Sequence, residues 1–521
     1  MRLARRNIVS VRSKASPSLA VLMLMVGVVA SACVSQSIVV VGETPLPPAS
    51  DIPIVTISVI DDEGIAVSGA SVMVNADDQE TVSDEMGLAT IQWHGKPVSV
   101  SIEAPGFFPG GVRIESFDEE AFVLELRPVV LRGIVTDSSG LGLGGSTVEL
   151  GTGKEITDEN GRFELSRAQP GTITAERPGW HSAEREWDGE ALVTEIALAP
   201  RIIRGLHIGS NIFADAREWH NILDVADETV VNAFVIDVKD ETGRVYFNSQ
   251  VTLAREIGAV RPLFDLGEVI REMDERDIYK IARIVTFQDP VAARAAIQMA
   301  VLDEAGFAYQ RRGQYFLDPS DPDARAYALD LAEEVCEAGM DEIQFDYVRY
   351  PAGFPEGAQF DLPATAENRM SVIGAFLEEA SDLLHPLGCA VAADVFGFVA
   401  SIADDGGIGQ QFSALSNSVD VLSPMVYPSH YSTGWFGFDV PNDHPGSVVA
   451  GALDDGLTRL EGSAIVRPWL QDFYYDADQV RAQIAEAESR ALGWMLWNAV
   501  SNFQFEALDD EPTTTTGSGQ G

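Results

Sequence analysis

The sequence predicts a multidomain protein in which two small all-β sandwiches precede one α/β barrel of the (β/α)8 type. Residues 53–200 contain short alternating strands separated by Asp/Gly turns and no long helical stretch, a pattern typical of β-sandwiches. From Arg201 onward, eight apolar strand candidates alternate with amphipathic helices. Eight such units over about 300 residues are typical of one closed parallel barrel.

The first 33 residues have the composition of an export signal. Basic residues without any acidic one precede an apolar run from Leu19 to Ala30, which is followed by Cys33. Small residues before a cysteine resemble a bacterial lipoprotein cleavage site, in which a lipidated Cys33 would anchor the chain to a membrane. Ala30 stands where such sites usually carry Leu, so ordinary signal cleavage and an uncleaved anchor stay open. We expect an extracytoplasmic protein, membrane-anchored or secreted, with a Pro-rich linker at residues 34–52.

Residues 53–128 and 129–200 are two copies of one repeat. DDEG, SGASVMV, SDEMG and VSVSIEAPGF follow one another in the first copy, and DSSG, GGSTVEL, TDENG and GTITAERPGW in the second. Both copies resemble carboxypeptidase-regulatory-like modules of the immunoglobulin type, which implies a spacer or adhesive role. Phe107 and Trp180 end the matching PG-aromatic motifs. We expect both to pack within their modules, with sugar stacking as the alternative.

The barrel is predicted at residues 201–508, and the low-complexity tail at 509–521 is predicted to be disordered. The first strand is placed at GLHIGS around Leu206. The other seven are predicted to end at Asp240, Phe287, Tyr350, Gly397, Pro428, Phe473 and Ala499. Helices are predicted at Leu263 to Asp277, Ala324 to Ala338, Ala366 to Leu384 and Ala477 to Ala491.

Polar and aromatic side chains follow almost every predicted strand. In DEIQFDYVRYP, Ile343 and Phe345 alternate with polar neighbours before the strand ends. Barrel enzymes keep their chemistry at this end of the strands, although an ion-paired strand end is the alternative. The predicted site residues at these ends are Asp237, Lys239, Asp240, Arg283, Asp346, Tyr347, Arg349, Tyr350, Asp394, Tyr427, His430, Tyr431, Trp469, Gln471, Asp472, Trp497 and Asn498.

Two of these residues, Asp346 and Asp394 on neighbouring strands, form the best candidate catalytic pair. Glycoside hydrolysis needs one carboxylic acid and a second carboxylate that attacks the anomeric carbon or activates water. Partial burial could keep one of them protonated while the other is ionised beside Arg349 or Arg283. Asp237 and Asp472 are competing carboxylates. Retaining and inverting mechanisms both stay open, as does which carboxylate is the acid.

The remaining predicted residues are assigned to substrate binding. Aromatic faces can stack on a sugar ring, and polar side chains can bind its hydroxyl groups. Lys239 could instead pair with Asp237 or Asp346. The predicted binding residues are Asp237, Lys239, Arg283, Tyr347, Arg349, Tyr427, His430, Trp469, Gln471, Asp472, Trp497 and Asn498.

Composition limits the partners. With 35 Lys and Arg against 80 Asp and Glu, the net charge is −45, which argues against nucleic acid as a partner. No Cys/His spacing indicates zinc, and the Asp-rich turns lack a full calcium-ligand spacing, so we predict neither metal nor cofactor. Cys336 and Cys389 are predicted to be buried thiols, with a disulfide as the alternative.

Seven motifs carry a resemblance to a known family: VIDVKDETG, ARIVTFQDP, DEIQFDYVRYP, ADVFG, SPMVYPSHY, RPWLQDF and GWMLWNA. In order and spacing they resemble a bacterial glycoside hydrolase family with a TIM-barrel domain, DUF4015-like, over roughly Ile203 to Phe505. The resemblance implies a barrel distantly similar to α-amylase-like hydrolases, whose nucleophile position falls on Asp346. Their acid is usually a Glu after strand five, where this chain carries Asp394. Barrels with Asn-Glu after strand four match less well.

We therefore predict a glycoside hydrolase, without metal or cofactor, that acts on a cell-envelope or environmental polysaccharide. A surface protein that binds glycan without cleaving it is one alternative. A structural envelope protein with a barrel scaffold is another.

Overall fold

The computed structural model describes residues 52–75, 79–116, 121–353 and 356–508. The predicted export signal with Cys33, the linker up to residue 51 and the tail at 509–521 lie outside the described residues. None of the helices within the described ranges is both long and apolar enough to cross a membrane.

The first β unit contains seven strands in two sheets. One sheet has the order β4-β1-β7 and the other β3-β2-β5-β6; β1 and β7 are parallel, and the other neighbours are antiparallel. Apolar side chains from both sheets form one buried cluster between Val55 and Leu126. The strands are β1 (Ile54–Asp61), β2 (Ser71–Val74), β3 (Gln79–Val82), β4 (Leu88–Gln92), β5 (Val98–Glu103), β6 (Gly110–Ile114) and β7 (Ala121–Leu126).

The second β unit repeats this arrangement. Its main sheets have the orders β11-β8-β15 and β10-β9-β12-β14, and a short pair, β13-β16, is added. Its apolar cluster runs from Leu131 to Leu198. The strands are β8 (Val130–Thr136), β9 (Thr147–Leu150), β10 (Gly153–Ile156), β11 (Arg162–Ser166), β12 (Gly171–Glu176), β13 (Trp180–His181), β14 (Ala183–Trp187), β15 (Val193–Ala197) and β16 (Ala199–Pro200).

Aspartate turns link the sequence repeat to this structural repeat. Asp61 Oδ1 accepts hydrogen bonds from the backbone N–H groups of Glu63 (3.0 Å) and Ile65 (2.8 Å). Asp137, at the matching position, accepts from the N–H groups two and four residues ahead at 2.8 and 2.9 Å. Such side-chain bonds fix tight turns between strands. The DDEG and DSSG motifs therefore set the same turn in both units.

The predicted barrel is confirmed. Eight parallel strand positions close into a ring, with the seventh split into two segments. A short hairpin, β20 (Gln310–Arg311) and β21 (Gln314–Tyr315), lies between the third and fourth positions. The barrel strands are β17 (Arg204–Ile208), β18 (Ala233–Lys239), β19 (Tyr279–Val285), β22 (Glu342–Asp346), β23 (Ala390–Phe396), β24 (Val421–Val426), β25 (Ile465–Val466), β26 (Trp469–Gln471) and β27 (Trp494–Trp497).

Helices surround this ring. Several begin with an aspartate or threonine cap, as Asp321 does before α5 and Thr365 before α6. The predicted helix at Ala366–Leu384 is confirmed to the residue, and the predicted one at Leu263–Asp277 is shorter at both ends. The helices are α1 (Ala216–Glu228), α2 (Thr252–Glu256), α3 (Leu266–Asp274), α4 (Ala292–Ala295), α5 (Pro322–Glu337), α6 (Ala366–Leu384), α7 (Phe412–Leu415), α8 (Pro445–Arg459) and α9 (Ala477–Glu488).

Alternation along β22 separates the core from the barrel interior. Ile343 and Phe345 belong to the large apolar cluster that includes the helices. Between them, Gln344 reaches across the barrel to Ser423 Oγ at 3.4 Å. Successive side chains of a strand point to opposite faces. The polar positions of this strand therefore line the interior, and the last of them, Asp346, lies at its carboxyl end.

The prediction of two free thiols is wrong, because Cys336 and Cys389 form a disulfide with their Cα atoms 6.0 Å apart. The bond joins α5 to the residue before β23. Both cysteines lie in apolar surroundings, which suit a thiol and a disulfide equally. Their sequence separation of 53 concealed their proximity, since only the barrel brings this helix and strand together.

The second β unit packs against the amino ends of the barrel strands. Arg177 Nη2 pairs with Asp420 at 3.4 Å, and His385 Nε2 lies 2.7 Å from the same carboxylate. Asp420 immediately precedes β24, and Ile465 at the start of β25 packs against the core of the β unit. This contact is therefore on the face opposite to the carboxyl ends of the strands.

Candidate active site

Arg283 connects two carboxylates at the carboxyl ends of β18, β19 and β22. Its Nη1 donates to Asp237 Oδ1 at 2.6 Å, and its Nε and Nη2 donate to Asp346 Oδ2 at 3.1 and 2.5 Å. All three side chains are at least nine-tenths buried. Burial of charge is costly unless the charges are paired and hydrogen-bonded. The pairing therefore holds the Asp346 side chain in a fixed position inside the barrel.

His207 extends this network from β17. Its Nε2 lies 3.0 Å from Asp237 Oδ2 and its Nδ1 3.0 Å from the carbonyl oxygen of Asn498. The ring stacks on Trp497 with 3.9 Å between centroids. Burial alone would raise the pKa of Asp237, but the charges of His207 and Arg283 outweigh it and lower that pKa to about 2.

Asp394, on β23, has the opposite electrostatic environment. Its side chain is almost completely buried, and Trp469 Nε1 donates to its Oδ1 at 2.7 Å. Burial, and next the negative charge of Asp346, raise the pKa of Asp394 well above its ordinary value, against the opposing effects of Arg283 and Trp469. The protonated form of Asp394 is therefore favoured while Asp346 faces Arg283.

The backbone after Asp346 is in an uncommon conformation. Tyr347 has a φ of 52°, in the left-handed region that non-glycine residues rarely adopt. Its N–H donates to Asp346 Oδ1 at 2.6 Å. Such a conformation costs of order 1–3 kcal/mol and is found most often at functional sites. Here this conformation directs the Tyr347 N–H at Oδ1 of Asp346, while Arg283 binds Oδ2.

A cavity of about 540 Å³ opens at this end of the barrel. Both Asp346 and Asp394 line it, so the two carboxyl groups share one solvent space. The rest of its wall is mostly aromatic. The lining residues are Glu241, Arg283, Asp346, Tyr347, Asp394, Phe396, Gly397, Phe398, Met425, Tyr427, His430, Tyr431, Ser432, Trp435, Trp469 and Trp497.

Lys239 is directed away from this cavity. A register shift in the pairing of β18 with β19 lies between Asp237 and Lys239, and the Lys239 ammonium lies 3.0 Å from the buried carboxylate of Asp289. It also donates to the carbonyl of Val285 and lies over the ring of Tyr327. The bulge turns this side chain outward, towards α5, so Lys239 pairs with neither of the carboxylates named for it in the sequence prediction.

Five other predicted binding residues lie outside the lining, the first being Asp237 in the Arg283 network. Asn498 donates to Asp472 Oδ1 at 2.9 Å, and Gln471 accepts from the N–H of Ser429 at 3.1 Å. The Arg349 guanidinium lies over the rings of Tyr347 and Phe396, 4.9 and 4.6 Å from their centroids. None of Asp237, Arg349, Gln471, Asp472 and Asn498 is among the lining residues of the cavity described above.

Several site residues were missed by the sequence analysis, among them His207, Glu241 and Trp435. His207 is an isolated polar residue within the apolar first strand, and its period-2 position on the same face as Gly205 could have indicated the barrel interior. Glu241 follows β18 in the KDETG turn and is an exposed carboxylate on the cavity wall. Within the described ranges, no group of three or more His, Cys, Asp or Glu is arranged to hold a metal ion.

One family model matches most of the barrel. Residues 205–503 match the model of a family, DUF4015, described as "Putative glycosyl hydrolase domain". The comparison with curated proteins finds no match.

Three solved structures are similar to parts of this chain. A hypothetical protein from Ruminiclostridium thermocellum is 30% identical, over 36% of this chain and 97% of that one, with a TM-score of 0.34. The PgaB (BpsB) glycoside hydrolase domain from Bordetella bronchiseptica is 15% identical, over 60% of this chain and 100% of that one, with a TM-score of 0.46. The glycoside hydrolase domain of PelA from Pseudomonas aeruginosa is 12% identical, over 58% of this chain and 96% of that one, with a TM-score of 0.35.

Proposed function

This chain belongs to the DUF4015 family, and we propose that it hydrolyses glycosidic bonds of a polysaccharide with two carboxyl groups, Asp394 as the acid and Asp346 as the carboxylate. The observation that carries this proposal is their shared cavity with contrasting surroundings. Asp394 is buried beside a negative charge, whereas Asp346 is bound by the Arg283 guanidinium. Pairs of carboxyl groups whose environments differ in this way serve as acid and base in hydrolases.

The proposed reaction begins with protonation of the glycosidic oxygen by Asp394. The bond between that oxygen and the anomeric carbon breaks, and Asp346 acts on the anomeric carbon directly or by activating water. If Asp346 attacks directly, water then displaces it from the anomeric carbon and gives one proton to Asp394; if Asp346 activates the water, it takes that proton and releases it to solvent, from which Asp394 is reprotonated. In both routes water supplies the oxygen that ends on the anomeric carbon, and the leaving sugar keeps the proton it received. Trp469 holds Asp394 Oδ1, so Oδ2 is the oxygen assigned to this transfer.

Aromatic side chains supply the binding surface in this proposal. Tyr427, Trp435, Trp469 and Trp497 line the cavity beside the carboxyl groups. Flat aromatic faces suit the apolar faces of sugar rings. The Arg283 guanidinium is 4.8 Å from the Trp497 ring centroid, which holds the indole in place next to the catalytic carboxylate.

The cellular setting belongs to the same proposal. The chain is exported, Cys33 is lipidated, and the two β units are immunoglobulin-type spacers of the carboxypeptidase-regulatory-like kind. The contact of the second β unit with the amino ends of the barrel strands supports the spacer role, because it attaches the barrel by the face opposite to the cavity. Mass spectrometry of the mature N-terminus tests the lipid at Cys33.

Release of reducing ends tests the hydrolase. Protein that begins after Cys33 is incubated with peptidoglycan, chitosan, laminarin, xylan and alginate, beside Asp346→Asn, Asp394→Asn and Glu241→Gln. Asp478→Asn, at an exposed position on α9, is the matched control. We expect release by the parent and the control, and a loss of more than 100-fold in Asp346→Asn and Asp394→Asn.

The other outcomes separate the alternatives. Polysaccharide binding without release by the parent would contradict the hydrolase and favour a glycan-binding protein. Loss of reducing-end release in Glu241→Gln, with release retained in Asp394→Asn, would assign the acid role to Glu241 instead.

A further inference from the structure

A continuous series of aromatic rings leads from the cavity to the outside of the barrel. Tyr427 contacts Phe473 at 5.5 Å and His430 at 5.3 Å between ring centroids. Phe473 in turn contacts Tyr474 at 5.3 Å. These four residues, called here the aromatic track, come from the loops after β24 and β26.

Exposure increases along the track. Tyr427 is 5% exposed at the cavity wall, Phe473 is partly buried, and Tyr474 is 92% exposed. No other large apolar side chain of the described residues is exposed to this degree. An apolar ring left in water loses the free energy that burial would supply, about 25 cal/mol per Å². Packing alone gives no reason for an aromatic residue at position 474.

The turn that carries Tyr474 is held firmly on both sides. Before it, Asp472 accepts hydrogen bonds from Asn498 at 2.9 Å and from the N–H of Gln504 at 2.9 Å. After it, the buried Tyr475 donates its hydroxyl proton to the carbonyl oxygen of Asn442 at 2.8 Å. Tyr474 itself has a φ of 65°. A left-handed backbone at an aromatic residue is uncommon and costs free energy, and here it projects the ring from an anchored turn.

We propose that the aromatic track binds further sugar rings of an extended polysaccharide outside the cavity, with Tyr474 as the outermost stacking platform. This inference rests on the proposed function and names its substrate class as a long chain rather than a short oligosaccharide. Each ring of the track lies within 6.0 Å of the next, so a chain bound at the carboxyl groups can continue outward on aromatic faces. Asp472, placed among the binding residues by the sequence analysis, acts here by positioning the turn.

Binding measurements in a protein that does not cleave its ligand test the track. Affinity electrophoresis of Asp346→Asn is run in gels that contain chitosan, laminarin, xylan or alginate, and is repeated with Tyr474→Ala and Tyr474→Trp added. Phe108→Ala, at an exposed aromatic residue of the first β unit, is the matched control. A stacking contact of about 0.5–1.5 kcal/mol corresponds to roughly 2- to 13-fold in the dissociation constant. We expect that loss in Tyr474→Ala, restored binding in Tyr474→Trp and no change in the control.

Two results would overturn the inference: equal retardation of Asp346→Asn with and without Tyr474→Ala, or no retardation of either. If the parent hydrolyses polysaccharide but Asp346→Asn is retarded equally with and without Tyr474→Ala, the track is not a sugar-binding site and the proposed function stands. Tyr474-dependent binding without hydrolysis by the parent would remove the proposed function and keep the track as a sugar-binding site.

Discussion

Arg283 holds Asp346 through a single carboxylate oxygen: Nε and Nη2 both donate to Oδ2, at 3.1 and 2.5 Å. The other oxygen, Oδ1, accepts from the N–H of Tyr347 at 2.6 Å. The carboxylate is thus fixed in orientation by a neighbouring strand and by its own backbone. This arrangement resembles that of a preorganised catalytic group, whose orientation is set before substrate binds.

Replacement of Arg283 by Met should destabilise the barrel and abolish activity. The change leaves the Asp237 and Asp346 carboxylates buried without their partner, and breaking a buried pair in this way costs about 3–5 kcal/mol. Urea unfolding measures the free energy of unfolding, and reducing-end release measures activity. Arg271→Met removes an exposed arginine that pairs with Glu275 at 2.8 Å and should cost less than about 1 kcal/mol. A similar loss in the free energy of unfolding in both variants would contradict a stabilising role for the Arg283 network.

Replacement of Trp469 by Phe should move the alkaline limb of the pH–rate profile upward. The indole N–H stabilises the ionised form of Asp394, so its loss raises the pKa of Asp394 further. A hydrogen bond to a charged group contributes about 1.5 kcal/mol, which corresponds to roughly one pH unit. Activity needs the protonated acid and therefore persists to higher pH. The control is Trp494→Phe, which removes an indole that donates to Glu488 at 3.3 Å and should leave the alkaline limb in place. A downward shift of the limb in Trp469→Phe would refute the assignment of Asp394 as the acid.

Asp394→Asn should abolish hydrolysis but stabilise the protein at alkaline pH. The folded-state pKa of Asp394 lies well above 3.8, its ordinary value. Above that value the unfolded chain releases the proton while the folded chain retains it, so the stability of the parent falls as pH rises towards the folded-state pKa. An amide has no such proton.

The difference in Tm between Asp394→Asn and the parent should therefore be near zero at pH 4. By pH 8 the Tm of Asp394→Asn should exceed that of the parent, because each pH unit over which only the unfolded chain has lost the proton costs the parent about 1.4 kcal/mol of stability. Differential scanning calorimetry measures both values. A difference that shrinks with rising pH would show that Asp394 is ionised in the folded protein.

Removal of the disulfide should reduce stability without changing the site. Neither Cys336 nor Cys389 lines the cavity, and closing a loop between residues 53 apart stabilises a fold by about 3–5 kcal/mol. We expect the Cys336→Ala/Cys389→Ala protein to unfold at lower urea concentration and to keep its turnover at 25 °C. Thiol titration of the denatured, unreduced parent that begins after Cys33 should find no free thiol, and two thiols would contradict the bond.

The barrel was predictable because its strands and helices carry strong local patterns. Alternation in DEIQFDYVRYP already separates Ile343 and Phe345 from the polar interior positions, and the β repeat is visible in its aspartate turns. The orientation of Lys239 could not be predicted, since it depends on a bulge in the pairing of β18 with β19. The disulfide depends on the contact between α5 and β23, which only the closed barrel creates.

The candidate site was predictable in part for the same reason. Residues at the ends of parallel strands necessarily lie at one rim, so Asp346, Asp394, Tyr427, Trp469 and Trp497 could be grouped from their strand positions. Which of the polar neighbours line the cavity depends on side-chain direction beyond the last paired residue, where the strand period no longer applies. Asp472 and Asn498, each one residue past its strand, form hydrogen bonds with the loops for this reason. Gln471, the last paired residue of β26, donates to the carbonyl oxygen of Phe473.

The most direct test of the account is the protonation state of the two carboxyl groups at pH 7. Infrared difference spectra between the parent and Asp394→Asn, and between the parent and Asp346→Asn, report whether each substitution removes a protonated carboxyl band or a carboxylate band. The account predicts loss of a protonated carboxyl band in Asp394→Asn and of a carboxylate band in Asp346→Asn. Loss of a carboxylate band in both would mean that the site holds no acid at neutral pH, and would contradict the assignment of Asp394 as proton donor.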